Sequence, residues 1–145
     1  MKLTAAELSP VTDIKPLVSE KKQLQRLMFI GEWFSIQQTE SGATRKATIR
    51  RSPNGTYVIH FEFYSKNGDL IYSQKEFGMW GVSGGIYFTI NQGWFENDEP
   101  VYSNAIDANN NDAYKLLKVS ENELIYQNLS SGNTFTYQKA KDKLE

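Results

Sequence analysis

Cysteine is absent from the 145 residues, which removes disulfides, thiolate metal sites and cysteine nucleophiles together. Histidine occurs once, as His60, so a His-rich metal motif is impossible and a Ser-His-Asp site would have to use this one residue. Neither sign of charge is in excess. A net charge of −1 excludes the basic surplus by which nucleic-acid binders are known, so no nucleic-acid partner is expected. No apolar run approaches the ~20 residues of a membrane span. The opening MKLTAAELSP lacks the hydrophobic centre of a secretory leader. Met1 and the closing Leu144-Glu145 read as ends of cloning origin. Localisation therefore stays open: periplasm or envelope if a leader was trimmed, cytoplasm otherwise.

What is plentiful is aromatic surface. Aromatic residues make up 13% of the chain, including eight Tyr and eight Phe. Such residues suit pleated, half-buried strands. The length predicts one soluble domain with a true core. Residues 1–18, with Pro10 and Pro16 and no sustained period, read as a mobile tail; 19–140 read as the domain and 141–145 as a C-terminal tail. Ser19 is a fitting N-cap for a short leading helix over 19–28 with Leu24, Leu27 and Met28 on one face. Gly31 ends it.

Beyond Gly31 the apolar period becomes two. Across 56–65, Tyr57, Ile59, Phe61 and Phe63 share one face, and Val58, His60, Glu62 and Tyr64 share the other. Asn54-Gly55 before this run and Asn67-Gly68 after it are hairpin signals, because tight turns demand positive φ. Further strands are predicted over 31–39, 44–51, 69–77, 79–91, 100–106, 113–119, 122–129 and 133–139. Asn91-Gln92-Gly93 reads as a turn, and Gly84-Gly85 as a bulge or bend within 79–91. Short strands without helices between them favour an all-β, antiparallel, up-and-down barrel of about eight strands, since closure removes the edges.

Gly31-Glu32-Trp33, placed just after a helix and opening the first strand, resembles the G-x-W signature of lipocalins and their calycin relatives. Asn111-Asp112-Ala113-Tyr114 is similar to that family's T-D-Y segment with one residue inserted. The layout looks most like the small bacterial lipocalin-like domains and extends over roughly 29–140. The resemblance implies that Trp33 closes the narrow end beneath the helix. It also implies a cation stacked on that Trp after the last strand; Lys139 or Lys141 stands where the family has Arg.

Several groups could carry chemistry. His60 shares a face with Glu62, which would suit an oriented base or a metal or haem ligand, yet that face is opposite the aromatic stripe and should meet solvent. Asp107–Asp112 begins like a calcium loop, but Asp112 stands where Gly is needed and Lys118 where a bidentate Glu belongs. Arg45 and Arg51 share the parity of Ala47 and Ile49. If that face is interior, a guanidinium enters the barrel and needs a partner; otherwise both snorkel to water. Resemblance to fatty-acid-binding barrels would imply a carboxylate held by Arg and a Tyr hydroxyl. Trp80, Trp94, Phe95 and Tyr102 cluster in the least regular stretch, as a pocket mouth, a lid or a protein interface.

The leading expectation is a non-enzymatic binding barrel for a small hydrophobic or amphipathic, fatty-acid-like ligand. Its ligand-binding residues would be Arg45, Tyr57, Ile59, Phe61, Phe63, Trp80 and Phe88, with Trp33 and Ile86 adding apolar surface. No metal, cofactor or catalytic residue is expected, because nothing brings a nucleophile, base and orienting group together. The alternative is a filled barrel that acts on a protein partner as an interaction or inhibitor module of the bacterial envelope. Its mark would be an exposed patch at Trp94, Phe95 and Tyr102.

Overall fold

A computed structural model describes residues 20–141. The expectations for the N-terminal tail, the Ser19 cap and the last residues lie outside the described part. Alternation and turn chemistry produce nine strands: β1 (Gly31–Gln38), β2 (Thr44–Arg51), β3 (Thr56–Tyr64), β4 (Leu70–Ser83), β5 (Ile86–Glu96), β6 (Glu99–Tyr102), β7 (Asn111–Val119), β8 (Glu123–Asn128) and β9 (Thr134–Lys139). Each neighbour is antiparallel in the order β4-β3-β2-β1-β9-β8-β7-β5, and β4 pairs with β5 to close the ring. The result is an eight-strand up-and-down barrel. β6 is a ninth, short strand that extends the free edge of β5 beyond its pairing with β7.

The Asn-Gly turns form as predicted, with Gly55 at φ +90° and Gly68 at φ +89°. Two other glycine signals have different meanings from those expected. Gly84-Gly85 is not a bulge but the whole turn between β4 and β5, with Gly84 at φ +59°. β4 therefore runs unbroken through 70–83, joining what the sequence divides near residue 78. Asn91-Gln92-Gly93 is not a turn. It lies inside β5, where the register slips: Gly78 faces Asn91 while Phe77 faces Gly93, so Gln92 is the extra residue of a bulge. The true reversal is Asn97-Asp98, both at positive φ (50° and 64°), the requirement of a tight turn that suits the strand twist.

One end of the barrel is sealed. The helix α1 (Glu20–Leu27) caps it, held by Arg26 Nη2 to the Pro53 carbonyl (2.7 Å) and by Gln25 Nε2 to the Gly84 carbonyl (2.7 Å). The expected packing face of the helix does not pack, since Leu24 and Leu27 are exposed and no helical residue is buried. The apolar plug is instead Phe29, just after the helix, stacked on Trp80 and Tyr87. Trp33, Ala47, Ile49 and Leu124 complete the core around it. Trp33 is fully buried at the start of β1. Lys139, rather than Lys141, supplies the stacked cation, with Nζ 5.0 Å from the centroid of the Trp33 ring.

Candidate functional site

Along each regular stretch of strand, side chains of one parity point inward, and they form layers from the sealed end to the open one. On β2 the inward series is Arg51, Ile49, Ala47 and Arg45; on β3 it is Tyr57, Ile59, Phe61 and Phe63. Above the sealed layer the barrel is not filled. A cavity of about 520 Å³ opens toward the loops at the far end, within the size range of small-molecule sites.

Its middle is apolar and aromatic: Ile49, Ile59, Phe61, Tyr114 and Phe135. Its rim is polar. There Arg45, Gln74, Glu76, Asn91, Asp107 and Asp112 converge with Trp94 and Tyr102. Arg45 lies over the rings of Phe61 (4.7 Å) and Phe135 (5.5 Å), and its Nη1 donates to Gln37 Oε1 at 3.3 Å. Glu76 accepts from Asn91 Nδ2 at 2.6 Å and from Gln74 Nε2 at 3.0 Å. Burial raises the Glu76 carboxyl above its ordinary value, against the opposing pull of the Asn91 hydrogen bond and the Arg45 charge.

The floor is made of tyrosines. Tyr57, Tyr87, Tyr126 and Tyr137 line the cavity, and the rings of the last three pack in series with Tyr114: Tyr87–Tyr126 at 5.0 Å, Tyr126–Tyr137 at 5.4 Å and Tyr114–Tyr126 at 4.9 Å. Tyr57 rests on Gly78 of β4, where any side chain would meet the ring. Immediately below lies Arg51, wholly buried. Its Nε donates to the Tyr87 hydroxyl (3.0 Å), Nη2 to the Tyr126 hydroxyl (3.2 Å) and Nη1 to the Phe29 carbonyl (3.4 Å). Desolvation pushes the Tyr57, Tyr87, Tyr114 and Tyr126 hydroxyls upward from the usual tyrosine value, so each stays protonated at neutral pH.

Of the residues expected to bind ligand, Arg45, Tyr57, Ile59 and Phe61 line this cavity. Phe63 has the inward parity but sits beyond the cavity at the open end, packed on Tyr72 at 5.7 Å. Two placements are corrected. Trp80 belongs to the sealed end, with its ring against Phe29 and its Nε1 donating to the Ser52 carbonyl at 3.2 Å. Phe88 is on the outer wall, 41% exposed, lying over Gly81 where a Cβ would come within 2.7 Å of its Cε2. Ile86 is also outward. The inward residues of that strand are Tyr87, Thr89 and Asn91, and the bulge then turns Trp94 inward as well.

The suggested aromatic cluster divides accordingly. Trp80 is at the sealed end, while Trp94 and Tyr102 are at the rim and Phe95 packs at a tilt against Phe77 at 5.1 Å. His60 is on the outer wall, as its parity predicts, and its Nε2 meets Ser73 Oγ at 2.8 Å. Glu62 accepts from the Tyr64 hydroxyl instead of orienting His60. Asp107 caps a single 3-10 turn, accepting from the Asn109 backbone at 2.9 Å, which accounts for the resemblance to a calcium loop.

The tyrosines of β5, β7, β8 and β9 are the part of the site that sequence reasoning missed. Leu124, Tyr126 and Asn128 on β8, and Phe135 and Tyr137 on β9, alternate as regularly as β3 does, and that pattern was the available signal.

No family model and no curated protein matches the chain. Among solved structures it is similar to a lipocalin-like protein from Bacteroides uniformis ATCC 8492, with a TM-score of 0.44 and 14% identity over 78% of this chain and 99% of that one. It is also similar to a de novo designed fluorescence-activating β-barrel, with a TM-score of 0.39 and 14% identity over 85% of this chain and all of that one. The closed eight-strand meander, the leading helix and the Lys139–Trp33 stack at the sealed end make this a lipocalin-like fold.

Proposed function

We propose that the barrel binds one small amphipathic molecule in its open-end cavity and performs no chemistry on it. The observation that carries this reading is the cavity itself: about 520 Å³, with an aromatic middle and a polar rim. Burial against Ile49, Ile59, Phe61 and Phe135 would supply the affinity, and the rim groups, Arg45 among them, would orient the ligand. The single histidine is on the outer wall, away from this cavity, and is hydrogen-bonded to Ser73. That leaves the cavity without an oriented histidine base.

Trp94 lines the rim and serves as a built-in reporter. Titration with a dansyl-labelled undecanoic acid is expected to give saturable energy transfer from tryptophan at one equivalent, and Ile59→Trp, which fills the cavity, should weaken it. Native mass spectrometry of protein purified gently from its host would then identify what is carried. A folded barrel that gives no saturable response to the labelled acid, or to unlabelled acids, alcohols and sterols, would sink the reading.

A further inference from the structure

Three carboxylates line the cavity, Glu76, Asp107 and Asp112, against one guanidinium, that of Arg45. Register sets Glu76 and Asp112 on the inner wall at either side of β5. Glu76 is paired with Ile59 of β3 and Trp94 of β5, and Asp112 with Thr89 of β5, all of them cavity residues. Neutral amides hold both groups: Asn91 and Gln74 donate to Glu76, and Asn128 Nδ2 donates to Asp112 Oδ1 at 3.1 Å. An amide orients a carboxylate without neutralising it, so the negative charge still acts on the space in front. Aromatic rings share that quarter of the barrel. The bare Cα of Gly78 lets the Tyr57 ring lie across β4, one inward position from Glu76, and Trp94 flanks Glu76 on the other side. The Tyr57 hydroxyl registers this setting: burial raises it first, and the charges of Glu76 and Asp112 are among the further causes.

The geometry points to an organic-cation subsite on the β4–β5–β7 side of the cavity rim, with Glu76 and Asp112 as counter-charges and the Tyr57 and Trp94 rings as π surfaces. The inference rests on the ligand-binding reading above and specifies its ligand: an amphipathic amine or quaternary ammonium, with its apolar body among Ile49, Ile59 and Phe61. A carboxylate draws a cation by charge, and an aromatic ring draws it by the negative face of its quadrupole. Both carboxylates are partly withdrawn from water, which strengthens the attraction. Arg45 opposes a cation, but unevenly. Rooted on β2 and lying over Phe61 and Phe135, it directs a positive head toward the opposite wall. An anionic head meets three carboxylates and one guanidinium already engaged with Gln37. Asp107, exposed at the mouth, extends the negative field to the entrance. The head charge is thus opposite to that of the fatty-acid-like ligand expected from sequence, and the labelled acid of the preceding test is held by its body alone.

The test compares dansyl-labelled undecyl chains that differ only in the head: trimethylammonium, carboxamide and carboxylate, at neutral pH and low salt. The trimethylammonium is expected to bind about tenfold or more tightly than the amide, and the carboxylate weakest. Glu76→Gln and Asp112→Asn keep the shape and remove one charge each. Either should lower trimethylammonium affinity several-fold and leave amide affinity nearly unchanged, with circular dichroism confirming the fold. Arg45→Gln should move it the other way, raising it several-fold, which general loosening of the rim would not do. The head series on the unaltered protein decides the matter even if a variant fails to fold. Equal affinity for the three heads, or a preference for the carboxylate, would overturn the inference and leave the binding reading standing. So would a cation preference untouched by both Glu76→Gln and Asp112→Asn, because the head would then lie elsewhere. If no head binds to the folded barrel, the binding reading fails and the inference falls with it.

Discussion

The ammonium of Lys139, at the end of the last strand, lies 5.0 Å from the Trp33 ring centroid and donates to the Ile30 carbonyl at 2.7 Å. One side chain thus ties the final strand to the segment that leads into the first, where direct β1–β9 pairing spans only Trp33–Lys139 and Phe34–Gln138. Gly31 makes the contact possible. Its φ of +109° is unfavourable for other residues, and a Cβ there would run into Lys139 Nζ.

Lys139→Met removes the cation and the hydrogen bond together. It is expected to cost about 1–2 kcal/mol, read as a fall in Tm. Lys139→Arg retains both kinds of contact and should lie within a few tenths of a kcal/mol of the parent. Equal loss in both variants would assign the stabilisation to the fit of the ammonium and its hydrogen bond to the Ile30 carbonyl, and not to positive charge as such.

Gly78 is required by packing. A Cβ there would overlap the Ile90 carbonyl and come within 2.9 Å of the Tyr57 ring, whereas one at Gly85 would meet nothing within 4 Å. Gly78→Ala should therefore cost about 1–3 kcal/mol by overpacking. Gly85→Ala should be near neutral. Chemical denaturation of the pair measures the difference; similar midpoints would mean that β4 shifts freely and that Tyr57 is not fixed by it.

Glu76 gives the cavity rim a pH dependence of defined sign. Burial holds its carboxyl above the ordinary value in the fold, so the folded state takes up this proton more readily than the unfolded chain. The stability it contributes is fully present below the unfolded value of about 4.3 and is lost as pH rises through the raised folded value. Glu76→Gln stays neutral throughout. The Tm of the variant minus that of the parent should thus increase from about pH 4 upward and then level off once the parent's carboxyl is ionised. A difference that shrinks over that interval would show that the hydrogen bond from Asn91 and the Arg45 charge outweigh desolvation.

Strict alternation made β3 legible with its facing, and the Asn-Gly pairs placed both of its turns, because these signals are local. The Lys that takes the place of the family's Arg was narrowed to two candidates, and the strand end selected Lys139. β5 was misread for an instructive reason. Its outward residues, Ile86, Phe88 and Ile90, are more apolar than its inward Tyr87, Thr89 and Asn91, so the rule that the greasy face turns inward points the wrong way. Gly81 permits Phe88 to lie flat against the outer wall, and the polar cavity requires hydroxyls and amides on the inner one.

Periodicity, turn residues and the lack of cysteine, of long apolar runs and of internal helices determined that this chain is an antiparallel meander that must close to hide its edges. Those are properties of neighbouring residues and need no knowledge of distant ones. Tertiary structure alone decided that Arg51 enters the barrel, that tyrosines from four other strands gather above it, and that space remains over them. Each of these depends on side chains 36 to 86 positions from Arg51 meeting at one level of the barrel. That level is set by how the closed sheet staggers its strands, a quantity no local window of sequence contains.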